Sequence, residues 1–374
     1  MNRLRLMRIS AQLLMVQGLL LAACSTPTLA PTVAPGSSGA SIAPPTQTPN
    51  DPRTLTVMTH DSFAVSEDVV QEFESANNVT VQFLKSGDAG EALNKAILAK
   101  GNPLADVLYG VDNTFLSRAL DEGIFEPYAA PALADIADEL ELDPAHGALP
   151  VDYGDVCLNY DKAYFAEKNI PAPTTLEDLI KPEYQNLLVV ENPATSSPGL
   201  AFLLATIGHF GEDGYLQFWA DLRANGVEVV DDWETAYYTS FSGSSGQGPR
   251  PLVVSYASSP PAEVIFADPR PAEAPTASVI GAGACFRQVE FVGILLGTKN
   301  RDLAEQWIDF MLSPRFQSDL PMQMFVFPVN PAATLPAEFI QWAQIPAQPA
   351  TVSPADIAAN REAWIEAWTE TALR

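Results

Sequence analysis

The sequence predicts an α/β protein of two lobes, and three observations carry that expectation. Residues 54–121 alternate short apolar strands with amphipathic helices, and 187–256 repeat the rhythm. The chain also crosses between the two runs, near 151–160 and again near 287–297. About 320 residues follow the N-terminal region, enough for two domains or one two-lobed domain.

In the first run, residues 54–59 (Thr-Leu-Thr-Val-Met-Thr) alternate as a strand. A helix is expected over 66–76, with Ser66 as N-cap and Glu67 and Asp68 in its first turn. Residues 79–84 form a second strand, and Gly87-Asp88-Ala89-Gly90 lead into a helix over 91–100. Residues 105–110 form a third strand, followed by a helix over 114–121. This β-α-β-α-β order implies a parallel sheet. Ligands of such sheets sit beyond the carboxyl ends of the strands. Asp61, Asp88 and Asp112 all fall there, although each alone also suits a turn or helix cap.

In the second run, Thr175 starts a helix, with Glu177 and Asp178 in its first turn. Residues 187–190 are a strand, and the loop 191–199 enters a helix over 199–209. Ser196 and Ser197 in that loop offer donors to an anion, or simply cap the helix. A strand over 227–230 leads through Asp231-Asp232-Trp233-Glu234 to a helix over 234–241. A Gly/Ser-rich loop, 242–249, precedes the strand 251–256, which ends in Tyr256-Ala257-Ser258-Ser259. Strand 289–297 then returns to the first lobe. Helix 301–312, a turn from Ser313, an apolar segment over 324–328 and a last helix over 354–371 complete it. Trp364 and Trp368, four residues apart on that helix, read as packing. The resulting division is 53–153 with 288–374 as one lobe and 154–287 as the other.

Ahead of these lobes, Arg3, Arg5 and Arg8 precede a short apolar run that closes on Leu-Ala-Ala-Cys24. These are the three regions of a secretory signal, 1–23, with Cys24 placed for cleavage and lipid attachment. The run contains Gln12 and Gln17 and falls short of the roughly 20 apolar residues a bilayer span needs. Residues 24–52 are rich in Pro, Ser, Thr and Ala and nearly uncharged, a spacer that holds a domain off a membrane face. The expected address is the outer face of the cell membrane, by lipid anchor, or the periplasm.

Net charge is −26 over 374 residues, and the part after the signal has 17 basic against 46 acidic residues. That excludes nucleic acid as a partner, because phosphate binding needs basic patches. Cys157 and Cys285, both on strand-like segments in an oxidising compartment, are expected to pair, with a free thiol as the other option. Only three His are present and none lies at ligand spacing from a Cys, so no metal site or cofactor is expected.

A set of segments carries a resemblance. They are Thr59-His-Asp-Ser-Phe63, Asp106-Val-Leu-Tyr-Gly-Val-Asp-Asn113 and Val151-Asp-Tyr-Gly154. Further on come Asn192-Pro-Ala-Thr-Ser-Ser-Pro-Gly-Leu200, Trp233-Glu-Thr-Ala-Tyr237, Val254-Ser-Tyr-Ala-Ser-Ser-Pro260, Leu312-Ser-Pro-Arg-Phe-Gln317 and Phe327-Pro-Val329. In order, over residues 54–374, they resemble the substrate-binding lipoproteins of bacterial ABC importers, and within them the thiamine-binding proteins. The resemblance implies a type II periplasmic-binding-protein-like fold, with the ligand cleft between lobes that close on it. It implies thiamine or its phosphate esters as ligand, a permease with its ATPase as partners, and no reaction on the ligand. A monomer is expected. The ligand positions carried over are Asp88, Ala89, Ser196, Ser197, Trp233, Tyr256, Ala257, Ser258 and Ser259; His60, Asp61, Asp112, Tyr237 and Phe325 complete the candidate set. His60 stands where familiar members carry Tyr, and Phe325 where they carry Trp. Trp and Tyr faces suit the thiazolium cation, at about 0.5–2 kcal/mol per contact.

Two other readings remain open at this point. The adjacent pair Tyr237-Tyr238 suggests a ferric-binding protein of the same fold, with polyamine as a further ligand class. A thiamine-cleaving transferase with Cys157 as nucleophile is the alternative from a different class.

Overall fold

The computed structural model describes residues 52–245 and 247–374. The signal, Cys24 and residues 24–51 of the spacer lie outside them. Among the described residues, eleven strands form one sheet. They are β1 (Arg53–Thr59), β2 (Val79–Lys85), β3 (Val107–Asp112), β4 (Phe125–Glu126), β5 (Leu149–Asp161) and β6 (Leu188–Glu191). The others are β7 (Glu228–Val230), β8 (Leu252–Tyr256), β9 (Thr276–Val279), β10 (Phe286–Leu295) and β11 (Phe327–Pro328).

The sheet runs β2-β1-β3-β10-β5-β8-β6-β7, with β4 on β10 and both β9 and β11 on β5. Its ends, β2-β1-β3 and β8-β6-β7, are parallel within themselves, as the two α/β runs predict. The long antiparallel pair β5–β10 joins them, with Glu290 opposite Asp152, Gln288 opposite Gly154 and Arg287 opposite Asp155. The expected crossings at 151–160 and 287–297 are therefore two neighbouring strands.

Apolar side chains collect in two main clusters. One gathers Leu55, Val57, Phe73, Trp307 and Phe316 behind β1 and β3. The other gathers Phe202, Trp219, Trp364 and Trp368 and reaches across to Leu93 and Leu108. The C-terminal helix, Pro354–Ala372, thus packs on the helix Tyr215–Ala224, with Trp368 edge-on to Trp219 at 5.4 Å. Among the described residues no helix is long and apolar enough to cross a membrane.

Several boundaries differ from expectation for local reasons. The second helix starts at Ala89, not 91, because the Asp88 carboxylate caps it by accepting from the Ala89 N–H at 2.7 Å. Ser66 holds the N-cap position of the helix Glu67–Asn77, but its hydroxyl donates to Asp319 Oδ1 at 2.6 Å instead of capping. The segment 234–241 forms a single wide turn, Thr235–Ser240, in which the Phe241 N–H reaches back to the Ala236 carbonyl at 3.0 Å. Helices at Tyr215–Ala224 and Pro260–Ile265, and strand β9, were not expected.

Candidate ligand-binding site

The carboxyl ends of β1, β2, β6, β7 and β8 face a cavity of about 260 Å³, at the small end for small-molecule sites. Each strand delivers one part of the wall. His60 follows β1, Asp88 and Ala89 follow β2, and Ser197 opens the helix Ser197–Phe210 after β6. Trp233 and Tyr237 come after β7, and Tyr256 and Ser259 end β8. Glu290 of β10 and Phe325, beyond the short helix Leu320–Gln323, close the remaining sides.

These nine candidates plus Glu290 surround the space; five other candidates lie off its wall. The Asp61 side chain is turned to accept from the Gly87 N–H at 2.9 Å, tying β1 to β2 at an exposed position. Asp112 is fully buried and accepts from the Thr114 N–H and hydroxyl and from Gln288. The Ser196 hydroxyl lies beside Asp88 without closing a hydrogen bond to it. Ser258 is buried, and Ala257 packs against Cys157 and Cys285.

The aromatic wall is fixed by hydrogen bonds. Trp233 stacks on Tyr237, with centroids 5.0 Å apart and planes 19° apart, and its Nε1–H donates to Ser255 Oγ at 3.0 Å. Tyr256 donates to Gln288 Oε1 at 2.6 Å. Gln288 Nε2 in turn donates to Asp112 and Ser197, so one buried amide ties β3, β8, β10 and the helix at 197 together. Gly154 makes room for this arrangement: a Cβ there would lie 2.8 Å from Cδ1 of Tyr256. At the mouth, Phe325 meets Phe266 edge-on at 5.6 Å.

The electrostatics of the cavity are anionic. Asp88, Glu234 and Glu290 line it, and His60 is the one basic side chain that does so among the described residues. Glu290 approaches His60 Nε2 at 3.3 Å. Burial disfavours the Glu290 carboxylate, but His60, with Asp152 and Tyr109, overturns this and holds its pKa below the usual range. Burial pushes the Asp88 carboxyl up against the stabilising Ala89 N–H. Burial also raises Asp112 to about 7. Asp152, buried behind the wall, is pushed well up by burial and by the Glu290 charge, and Tyr109 donates to it at 2.5 Å.

The folded-state pKa of Asp152 therefore lies well above the roughly 3.9 at which an unfolded aspartate ionises. Between those two values folding takes up a proton, so this residue costs stability as pH rises. Asp152→Asn, the neutral isostere, is expected to match the parent near pH 4. It should gain on it by up to about 1.4 kcal/mol per pH unit above that. Urea denaturation at pH 4, 6 and 8 checks this; a pH-independent difference would contradict it.

Sequence reasoning missed Gln288, Glu290, Tyr109 and Asp152. A signal was available for two of them: Gln288 and Glu290 are polar residues two apart in a largely apolar strand, which places both on one face. Two alternatives lose support. Tyr237 donates to Glu263 at 3.0 Å and burial pushes its hydroxyl well up, whereas iron binding needs the phenolate; the Tyr238 ring stands at 83° to it and is half exposed. Cys157 is buried and bonded to Cys285, so it has no thiolate to offer as nucleophile.

Residues 102–345 match the family described as bacterial extracellular solute-binding protein. The chain belongs to that family. This solute-binding protein is 32% identical over 328 residues to the thiamine-binding periplasmic protein of Salmonella typhimurium, across 86% of this chain and 94% of that one. It is similar to the solved structure of a periplasmic thiamin binding protein, at TM-score 0.75 and 29% identity, over 87% of this chain and 99% of that one. A ferric binding protein from Campylobacter jejuni, at TM-score 0.71 and 17% identity over 86% of this chain and all of the other, shares the fold alone. The architecture is accordingly that of type II periplasmic binding proteins, built for solute capture and not for catalysis.

Proposed function

We propose that this protein captures thiamine, or a phosphate ester of it, in the cavity at the strand ends and delivers it to an ABC permease powered by its ATPase. The observation that carries the reading is the combination of two carboxylates, half-buried Asp88 and buried Glu290, with the Trp233–Tyr237 stack and Tyr256 around one small cavity. A thiazolium ring is a permanent cation that such carboxylates balance and such faces attract. Asp88 accepts from the exocyclic amine of the aminopyrimidine, and Ser197 and Ser259 serve the hydroxyl or phosphate end. Relatives named as thiamine-binding support the same ligand.

In this reading the segments 53–153 with 288–374 and 154–287 move as two lobes. They close about β5 and β10, driven by ligand contacts to both. Lipid on Cys24 and the spacer 24–52 keep the protein near its permease, and it works as a monomer at the outer membrane face or in the periplasm. Thermal unfolding with a ligand panel tests the function. Thiamine or a thiamine phosphate at 1,000 times its Kd adds about 4 kcal/mol and raises Tm by several degrees. A shift with spermidine or Fe(III) and none with any thiamine form would overturn it.

A further inference from the structure

We propose that His60 is a displaceable counter-ion: a cation entering the cavity takes its place beside Glu290, and the imidazolium proton leaves to solvent. The inference rests on the thiamine reading and specifies how the site selects charge. His60 lines the cavity at 8% exposure, and its Nε2 faces Glu290 Oε1 at 3.3 Å. No hydrogen bond at its Nε2 is well formed, so the attachment to Glu290 is chiefly one of charge, which an incoming cation can replace. The ring is also held in place. It lies against Gly110, whose φ is +99° and whose missing Cβ would sit on the imidazole, and against the Tyr109 ring at 5.7 Å. Packed on those two sides, the imidazolium relieves repulsion from an incoming cation by deprotonation.

The groups that face His60 are known from each packed element. Glu290 of β10 and Asp88 at the end of β2 favour its charge, and Lys85 of β2 opposes it. Tyr109 of β3 is a neutral phenol, and Asp152 and Asp112 lie further back, both raised by burial. Burial works against the His60 charge, but Glu290 outweighs it and lifts the pKa above that of an ordinary histidine. His60 in the ligand-free site thus keeps its proton to higher pH than an ordinary histidine. Exchange leaves the buried charge unchanged, one cation beside Glu290 before and after: His60 loses its proton to the buffer, and the thiazolium replaces it.

The sign follows from linkage. A site that releases one proton on binding gains affinity with rising pH, by up to about tenfold per pH unit below the imidazolium pKa, and levels off above it. A ligand of the same shape without the cation gains nothing.

Calorimetry of the full chain with thiamine, in two buffers of different ionisation enthalpy at pH 6.5, counts the protons. We expect release of up to about one proton per thiamine, and none with the neutral pyrimidine alcohol that lacks the thiazolium. We expect His60→Asn to bind thiamine with no proton release and a Kd that no longer falls between pH 5.5 and 7.5. With three His in the chain, NMR of the imidazole protons follows His60 in the parent protein; its pKa should drop when thiamine is added. Binding heat without proton release, or release undiminished in His60→Asn, would overturn the inference while sparing the thiamine reading. No binding heat with thiamine at any pH would overturn both.

Discussion

Trp233→Ala is expected to weaken thiamine binding about 30- to 150-fold, from the roughly 2–3 kcal/mol lost when a buried aromatic anchor over a cation is truncated. Trp233 stands at the cavity wall, stacked on Tyr237 at 5.0 Å and held by Ser255 at 3.0 Å, so its position is fixed before ligand arrives. A rigid wall spends little entropy on binding. Trp233→Phe retains a face but no Nε1–H and should fall between parent and alanine. Titration calorimetry gives the ranking. An alanine variant within twofold of the parent would remove Trp233 from the ligand contacts.

The second large effect concerns stability. Cys157 and Cys285 are bonded across 128 residues, which ties β5 to the start of β10 beside Ala257. Closing so long a loop restricts the unfolded chain, and its loss is expected to cost about 3–5 kcal/mol. Cys157→Ser with Cys285→Ser should therefore unfold at a clearly lower urea midpoint, with an unchanged or slightly raised slope. The parent with reductant should follow it once unfolding admits the reagent. An equal midpoint for the double variant would show that the pairing of β5 with β10 already supplies the constraint.

What the sequence made legible was periodicity and its ends. The alternation at 54–59, 79–84 and 105–110 predicted β1, β2 and β3, and the strand-end rule pointed to Asp88, which lines the cavity beside Trp233 and Tyr256, two positions that the family resemblance supplied. The rule gives a place but no direction. Asp61 and Asp112 occupy equivalent strand ends, yet one turns outward to the Gly87 N–H and the other inward to Thr114 and Gln288. Helix Tyr215–Ala224 was readable from its buried Tyr215, Phe218, Trp219 and Leu222 at helical spacing. Helix Pro260–Ile265 hid behind two prolines that read as loop. The acid network was beyond sequence reasoning, because Asp152 and Glu290 meet only through the antiparallel pairing of β5 and β10.

If this cavity is the thiamine site, a crystal structure of the protein grown with thiamine will show the ligand in it. One thiamine is expected at the strand ends. Its thiazolium should lie within about 6 Å of the ring centroid of Trp233 or Tyr256 and near the carboxylates of Asp88 and Glu290. Thiamine bound elsewhere on the chain, with the Trp233–Tyr237 wall free of ligand, would contradict it.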